Sequence, residues 1–380
     1  MRNCFRPLPN YPSLDILRSL PKERLQDILS RLPLKTLMRL KCVSKSWCLI
    51  IEDSIFRSQR APIVVTLNAH FDDDSQRLYS IDENGLATLT CMFINPHGSC
   101  YDSKSCNGLF CFPSFWSTGG NCLRVCNPTT QEVVTLPRTN VYNDLDSFEF
   151  GFDPLRKEYK VLAWNYSLHY EVFTLGTNSW RVIRNKPAGR FQGQFSRSFC
   201  MNGSFYWYCD TKKLIISFNL DKEKFGRVHG PKRLNRGFES SVKHLFELDG
   251  CLCLVDHHYL YSNFGNNQSH PRIIDLWMLK DYYKKIWKLI NYRKKVWVKM
   301  TSITLPSIWM SLENPFSTRT GEILIARSSD GSRIIYLYNL FTQNFTVVNI
   351  VGLPSDFVVT NFVESSESIA NLSHCLTEPY

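Results

Sequence analysis

The chain has 380 residues, of which 43% are hydrophobic and 21% are charged, and this balance excludes disordered and fibrous proteins in favour of one large or two ordinary globular domains. It has no apolar run long enough for a membrane helix and no signal-peptide core at its start, so we expect a protein of the cytoplasm or nucleus that binds no membrane. In such a reducing compartment the 14 cysteines are expected to stay unpaired.

The net charge of +11 is concentrated in two segments. Residues 1–60 hold 12 Lys and Arg against 5 Asp and Glu, and residues 280–299 hold 8 against 1, so each segment contributes +7. The rest of the chain carries −3, which argues against a nucleic-acid-binding surface spread over the whole fold. Nucleic acid is therefore an unlikely partner on charge grounds, and each basic segment needs its own explanation.

The first segment, from Pro21 to Phe56, has apolar residues at helical spacing and predicts three short helices. Pro33 ends the first of them, because proline cannot continue a helix, and a preceding serine can cap the helix that carries Trp47. We assign these helices to a domain at residues 13–58.

From residue 62 to about residue 360, short apolar or aromatic stretches alternate with polar turns, which predicts successive antiparallel strands. Four of the turns recur at intervals of 46, 49 and 47 residues, at Asn107-Gly108, Asp153-Pro154, Asn202-Gly203 and Asp249-Gly250. A period of this size with four strands is that of one propeller blade, so we expect an all-β, propeller-like array of four-stranded sheets, with an irregular β-sandwich as the alternative. Residues 361–380 are predicted to form a flexible C-terminal tail.

A second kind of turn is followed, six residues after its first residue, by a bulky apolar anchor. The pairs of turn and anchor are Asn127 with Val133, Thr174 with Trp180, Asn219 with Phe225, and Asn339 with Phe345. A fifth pair, a turn at Met278 with Trp297, fits if the basic stretch between them is an insertion. We expect the aromatic anchors to occupy equivalent buried positions in successive sheets.

The insertion, residues 280–299, interleaves aromatic residues with Lys and Arg, at Tyr282, Tyr283, Trp287 and Tyr292. A solvated loop is the favoured interpretation, because charge runs usually face water. A nucleic-acid surface and a docking site for an acidic protein are the alternatives.

Motifs for phosphate binding, dinucleotide binding, zinc proteolysis and serine hydrolysis are missing from the sequence. The cluster most like a metal site consists of Cys251, Cys253, His257 and His258, but its spacing matches no common zinc motif. Cysteines two residues apart are typical of a buried strand. We therefore expect no metal, no cofactor and no catalytic residue.

The most specific motif lies in the helical segment. An opening Leu20-Pro21, a block from Ile28 to Pro33 that reads Ile-Leu-Ser-Arg-Leu-Pro, and an ending from Val43 to Trp47 that reads Val-Ser-Lys-Ser-Trp closely resemble the F-box. The later segments around Asn107, Asn127, Gly151 and Ser179 resemble the F-box-associated domain of plant F-box proteins. The long basic insertion departs from that resemblance.

The resemblance implies that the F-box binds a Skp-type adaptor and, through it, a cullin scaffold, while the associated domain recruits a protein target for ubiquitination by other subunits. The adaptor-binding residues that it implies are the apolar residues of the motif, Leu20, Pro21, Leu25, Ile28, Leu29, Leu32, Pro33, Leu37, Leu40, Val43 and Trp47. We expect Leu25, Ile28, Leu29, Leu32 and Trp47 to form an exposed apolar patch in the lone chain. A free propeller-type module that binds a glycan or nucleic acid is the alternative function.

Overall fold

A computed structural model of the chain divides into two compact units, Met1–Pro62 and Ile63–Tyr380. In the first unit it describes positions 21, 24–25, 28–29, 40, 47 and 50. In the second unit it describes residues 63–69, 75–81, 86–94, 103–115, 121–139, 145–165, 167–185, 198–209, 214–232, 234, 242–248, 250–259, 272–286, 290–305, 311–312, 316–319, 322–329, 332–348, 350–352, 358–362, 365 and 369.

The first unit is helical at every described position after Pro21. The amide of Leu25 donates a hydrogen bond to the carbonyl of Pro21 over 3.1 Å, which is the spacing of a helical turn. The number of helices lies outside the described residues, as do five of the implied adaptor contacts, Leu20, Leu32, Pro33, Leu37 and Val43.

The regular secondary structure described in the second unit consists of β-strands, which are joined by turns. The first fifteen strands are β1 Ile63–Ala69, β2 Ser75–Ile81, β3 Ala87–Ile94, β4 Lys104–Cys106, β5 Leu109–Phe115, β6 Asn121–Asn127, β7 Glu132–Thr135, β8 Leu145–Asp153, β9 Glu158–Asn165, β10 Tyr170–Thr174, β11 Arg181–Val182, β12 Phe199–Met201, β13 Ser204–Cys209, β14 Leu214–Asn219 and β15 Lys224–His229. The remaining strands are β16 Val242–Leu248, β17 Cys251–Tyr259, β18 Arg272–Ile286, β19 Ile290–Leu305, β20 Ser311–Leu312, β21 Phe316–Arg319, β22 Glu322–Ser329, β23 Ser332–Asn339, β24 Asn344–Val348 and β25 Val358–Phe362. No helix in the described part of the chain is long and apolar enough to span a membrane.

The strands form six antiparallel sheets, which we number along the chain. Sheet 1 has the order β25-β1-β2-β3, and sheets 2 to 5 are made of β4–β7, β8–β11, β12–β15 and β16–β19. Sheet 6 contains β20 to β24, with β20 and β21 both paired with β22. The first strands of neighbouring sheets contact each other, as β4 does with β8 and β12 does with β16. This is the arrangement of a β-propeller, in agreement with the period in the sequence.

Sheet 1 joins the two ends of the propeller, because β25 pairs with β1 from Ile63 opposite Phe362 to Leu67 opposite Val358. The connection between β24 and β25 also contacts sheet 1, since the amide of Ala87 in β3 donates to the carbonyl of Val351 over 2.9 Å. The expectation of a flexible tail from residue 361 is therefore wrong for its first residues, which belong to β25.

The chain beyond β25 also packs against the propeller. The side-chain amide of Asn127 donates to the carbonyl of Ser365 over 3.0 Å, and the amide of Ile369 donates to a carboxylate oxygen of Glu132 over 2.6 Å. The side chain of Ile369 is fully buried in the core between sheets 2 and 3. A single apolar residue in a polar segment gives no periodic signal, which is why the sequence did not indicate this contact.

Both faces of the middle sheets are buried against neighbouring sheets. In β9, Val161 and Ala163 pack in the core shared with sheet 2, whereas Leu162 and Trp164 pack in the core shared with sheet 4. Because successive side chains of a strand point to opposite faces, the stretch from Val161 to Trp164 is apolar at every position. This explains the unbroken apolar stretches in the sequence.

The four periodic turns all join the first two strands of a sheet. Asn107 and Gly108, like Asn202 and Gly203, have positive φ angles at both positions, 48° and 80° in one turn and 49° and 69° in the other. Two successive positive φ angles favour Asn-Gly, and they match the twist of an antiparallel hairpin. Each period of the sequence therefore corresponds to one sheet.

The aromatic anchors occupy equivalent positions on the outer side of successive sheets, as predicted. Phe225 in β15 lies opposite Phe218, and Phe345 in β24 lies opposite Tyr338, with ring centroids 4.8 Å apart in each pair. In sheet 3, Trp180 lies 5.3 Å from Phe173 in the same way. All the anchors are partly rather than fully buried, because the outermost strand of a sheet is exposed at its free edge.

The fifth turn was placed wrongly. Met278 and Leu279 lie inside β18, which continues to Ile286 and pairs with β19 as far as Ile290. Trp297 is nevertheless an outer-strand anchor, since it lies opposite Leu279 and packs against the core between sheets 4 and 5. The basic insertion is thus an extended two-stranded ribbon rather than a loop.

We predict that Phe225→Ala lowers the free energy of unfolding by about 2 to 3 kcal/mol, because Phe225 contacts Tyr170 and Phe218 in the core between sheets 3 and 4. Phe341→Ala is the matched control, since 77% of Phe341 is exposed, and it should change stability by less than about 0.5 kcal/mol. Urea denaturation of both variants measures this. If both substitutions change the free energy of unfolding equally, packing at the anchor position does not contribute to stability more than an exposed position does.

Candidate functional site

The described residues of the helical segment separate into buried and exposed sets. Leu25, Leu29 and Trp47 are buried, whereas Ile28 is 43% exposed and Arg24 is exposed. The expectation that Leu25, Leu29 and Trp47 form part of an exposed apolar patch is therefore wrong, because the chain itself covers these side chains. Ile28 is the described apolar residue of that set which is available to a partner.

A groove of about 300 Å³ lies between sheets 3 and 4, where the turn after β8, the turn after β10 and the turn after β14 meet. The local sequence builds these turns: side-chain oxygens of Asp153 and Asn219 accept backbone amides two or three residues later. The fourth residue after each, Lys157 and Glu223, has a positive φ angle of 57° and 49°. Such turns place charged side chains at the mouth of the groove.

Lys160 lies at the base of the groove with only 1% of its side chain exposed. Its ammonium donates to the carbonyl of Leu220 over 2.8 Å and to a carboxylate oxygen of Glu223 over 3.1 Å. The carboxylates of Asp153 and Glu158 lie 3.8 and 3.6 Å from the same nitrogen. These contacts compensate the burial of the charge, which would otherwise be costly.

Glu223 links the two sheets electrostatically, because it also accepts a hydrogen bond from Arg181. Burial by itself would raise the pKa of the Glu223 carboxyl. The hydrogen bonds from Arg181 and Lys160, together with their positive charges, outweigh burial, so the pKa lies below its ordinary value. Glu223 is accordingly a carboxylate at neutral pH, and the groove is a balanced ionic network.

A second buried carboxylate connects three neighbouring sheets. Glu149 in β8 accepts hydrogen bonds from Lys104 of sheet 2 and from the indole of Trp207 in sheet 4, both over 3.3 Å, and from the hydroxyl of Ser198. The side chain of Glu149 is only 5% exposed. With donors from sheets 2 and 4, this carboxylate has a structural role in holding sheet 3 to both neighbours.

Sheet 5 carries a row of polar residues at matching register. Lys243, Asp256, Asp275 and Ser302 lie opposite one another on its four successive strands. The hydroxyl of Ser302 donates to Asp275 over 2.8 Å, the ammonium of Lys299 lies 2.8 Å from the same carboxyl group, and Lys243 lies 3.8 Å from Asp256. Each carboxylate therefore has a cation beside it, as a buried charge requires.

The candidate metal residues do not converge. Cys251 and Cys253 lie on β17 two residues apart, with Cys253 fully buried in the core between sheets 5 and 6. His257 and His258 are adjacent on the same strand and therefore belong to opposite faces. Within the described ranges, no group of three or more His, Cys, Asp and Glu side chains could hold a metal ion.

Thiol chemistry is disfavoured at two buried cysteines. Burial raises the pKa of the Cys111 thiol far above its ordinary value. A hydrogen bond with Cys106 and burial raise the pKa of the Cys200 thiol. Since the thiolate is the nucleophile, these two cysteines are poor candidates for covalent catalysis.

The two-stranded ribbon carries the second basic segment of the sequence. The register places Tyr282 opposite Lys294, Tyr283 opposite Arg293, and Lys284 opposite Tyr292. The sequence indicated the charge of this segment but not its structure, since Lys-rich runs have low strand propensity. No sequence signal indicated the groove either, because its residues come from three separate turns.

Comparison with known proteins identifies both parts of the chain. The profile of the F-box associated beta propeller domain matches residues 55–375, and an F-box-like profile matches residues 17–60. The chain is a plant F-box protein with a C-terminal associated domain. The prediction of this family from the motif between Leu20 and Trp47 is confirmed.

Relatives of this F-box protein occur in Arabidopsis thaliana. An F-box protein of that plant is 27% identical over 394 residues, covering 90% of each chain, and an F-box/kelch-repeat protein is 26% identical over 293 residues, covering 70% of this chain and 76% of that one. A further F-box relative is 30% identical over 248 residues, and the chain spans 61% of its length.

Among solved structures, this F-box protein resembles TolB from Acinetobacter baumannii. The likeness covers 75% of the F-box protein and 63% of TolB, with 10% identity and a TM-score of 0.44. The F-box protein also resembles the Dos1 propeller. This likeness covers 79% of the F-box protein and 74% of the Dos1 chain, with 12% identity and a TM-score of 0.39.

We predict that Glu223→Gln lowers the melting temperature at neutral pH, by the equivalent of about 1 kcal/mol, because Lys160 and Arg181 lose a charged acceptor. A carboxyl group whose pKa is lower in the folded state stabilises the fold above its unfolded pKa, and that contribution disappears as the pH falls through the folded pKa. The difference between wild type and variant should therefore shrink below about pH 4.

Thermal denaturation of both proteins between neutral and acidic pH measures this difference. Glu158→Gln is the control, because Glu158 is more exposed and lies 3.6 Å from Lys160, so its effect should be smaller. A difference for Glu223→Gln that is constant with pH would show that the carboxylate charge does not matter.

Proposed function

We propose that this F-box protein is the substrate-receptor subunit of a ubiquitin ligase of the Skp-cullin-F-box type. The observation that carries the proposal is the fusion of an F-box-like segment at residues 17–60 to a propeller domain at residues 55–375. In this proposal the F-box binds a Skp-type adaptor, and the propeller recruits a protein target. Transfer of ubiquitin is left to other subunits.

The first segment is suited to docking by its size and by its exposed helix face. A helical segment of about 40 residues is too small to enclose a large core and commonly depends on a partner. Leu25 and Leu29, four residues apart, lie on one buried side of their helix, whereas Ile28 is exposed. We infer that the adaptor covers Ile28, and that a cullin joins the complex through the adaptor.

The second segment is suited to recruitment, because a propeller presents loops and sheet edges on a rigid scaffold. The middle sheets, with both faces buried, hold the scaffold fixed while surface segments vary. We propose that the protein acts in the cytoplasm or nucleus, where its cysteines would stay reduced. The eight cysteines whose state is described form no disulfide, which is compatible with that location.

We predict that Ile28→Ala weakens adaptor binding about tenfold without changing the melting temperature, because it removes exposed apolar area that only the complex buries. Leu155→Ala is the matched control, since Leu155 is a 78% exposed leucine of the propeller and should leave adaptor binding unchanged. Leu29→Ala differs from both, because Leu29 is buried within the lone chain and its truncation should destabilise the F-box by about 2 to 5 kcal/mol.

Adaptor affinity, measured by calorimetry with purified adaptor, and target capture in a pull-down are compared on the same variants. Ile28→Ala should impair the first and spare the second. If the full chain does not bind the adaptor at all, the protein is a free binding module. If Ile28→Ala abolishes target capture and spares the adaptor, the two halves have been assigned the wrong way round.

A further inference from the structure

The outermost strand of sheet 5 is unlike those of the other sheets in its length. β19 has 16 residues, whereas the outermost strands β3, β7, β11, β15 and β24 have 8, 4, 2, 6 and 5. Among the described strands, β19 pairs only with β18. Among the described strands, those of sheet 5 therefore present the longest free outer edge.

A long free edge exposes a row of backbone N–H and C=O groups that can pair with another strand. Natural proteins usually shorten such an edge, as the other five sheets do, or place lysines on it to repel other chains. From Ile290 to Lys299, β19 contains Arg293, Lys294, Lys295 and Lys299 and no acidic residue. This run of positive charge repels a basic strand and attracts an acidic one.

The ribbon extends from a fixed base. The indole of Trp297 donates to the carbonyl of His229 in sheet 4 over 2.6 Å, and its ring packs in the core between sheets 4 and 5. Lys299 is held by Asp275 over 2.8 Å, so the cations that β19 carries beyond this base are Arg293, Lys294 and Lys295. From Ile290 to Val296 the edge is about 20 Å long at the usual rise of a strand, enough for a segment of about six or seven residues.

Two observations favour an acidic polypeptide over nucleic acid. Outside the two basic segments the chain carries −3, so a long polyanion would meet repulsion beyond the ribbon. The tyrosines that could stack on bases lie opposite Lys284, Arg293 and Lys294 in the register, and aromatic residues opposite cations stabilise a two-stranded ribbon by themselves. Charge and an open edge remain as the features that a ligand would use.

We propose that the edge of β19 from Ile290 to Val296 receives an extended acidic segment of the target protein as an added antiparallel or parallel strand. Backbone hydrogen bonds would provide affinity, and the three cations from Arg293 to Lys295 would provide selectivity for Asp and Glu. The inference rests on the proposed function in one respect, that the ligand is a protein recruited for ubiquitination.

The test uses the full-length chain and a fluorescent peptide of alternating glutamate and valine, with binding followed by fluorescence anisotropy. The triple variant Arg293→Gln, Lys294→Gln and Lys295→Gln should weaken binding about tenfold or more, since each exposed charge pair contributes up to about 1 kcal/mol. The matched control is Lys157→Gln, Lys222→Gln and Lys224→Gln, which neutralises three exposed cations of sheets 3 and 4 and should leave binding unchanged.

A second probe separates strand addition from charge attraction alone. The same peptide with N-methyl groups on alternate residues keeps its charge but loses the amide donors along one edge, so it should bind at least tenfold more weakly. A third variant, in which residues 281–295 are replaced by Asn-Gly, gives sheet 5 a tight turn like those of other sheets and should abolish binding while the melting temperature is kept.

Three results would overturn the inference: equal binding by the ribbon variant and its control, equal binding of the methylated and unmethylated peptides, or displacement of the peptide by a lower concentration of single-stranded oligonucleotide. The last would assign the ribbon to nucleic acid. Adaptor affinity is measured on the same preparations and does not involve the ribbon. Loss of adaptor binding with peptide binding intact would count against the proposed function alone, and the reverse would count against this inference alone.

Discussion

The pairing of β25 with β1 is the constraint on which the propeller depends. These strands are separated by almost the whole domain in sequence, yet five register pairs from Ile63–Phe362 to Leu67–Val358 bring them into one sheet. Without β25, sheet 1 would lack its first strand, which contacts β4 of sheet 2. The segment that follows strengthens this closure, because Ile369 fills the core between sheets 2 and 3.

Once the ring is closed, each sheet must pack against two neighbouring sheets. The alternating side chains of one strand therefore serve two different cores, as Val161 and Leu162 do in β9. Large aromatic pairs such as Phe218 with Phe225 fill the wider outer part of the interface between sheets. Polar groups enter these interfaces with their partners: Glu149 receives donors from two other sheets, and Lys160 is surrounded by acceptors.

The departures from the repeat are where this protein differs from a generic propeller. The ionic groove between sheets 3 and 4 is built from turns that the repeat requires, but its charges are not needed for the repeat. The ribbon of β18 and β19 is an addition to one sheet and leaves the inner part of that sheet unchanged. A rigid ring that tolerates such additions at its edge separates folding from recognition, because substitutions in the ribbon do not disturb the cores.

The sequence by itself determined the F-box family, the all-β character, the period of the sheets and the equivalent positions of Trp180, Phe225 and Phe345. These features depend on local chemistry: Asn-Gly turns need positive φ angles, and an anchor six residues after a turn is fixed by the geometry of one hairpin. Only the tertiary structure decided the pairing of β25 with β1, the burial of Ile369 and the convergence of Lys160 with Glu223. Each of these depends on residues distant in sequence, whose contacts leave no periodic pattern. The ribbon belongs partly to each case. Its positive charge could be predicted from the sequence, whereas its strands form because β18 and β19 are already paired within the sheet where the ribbon begins.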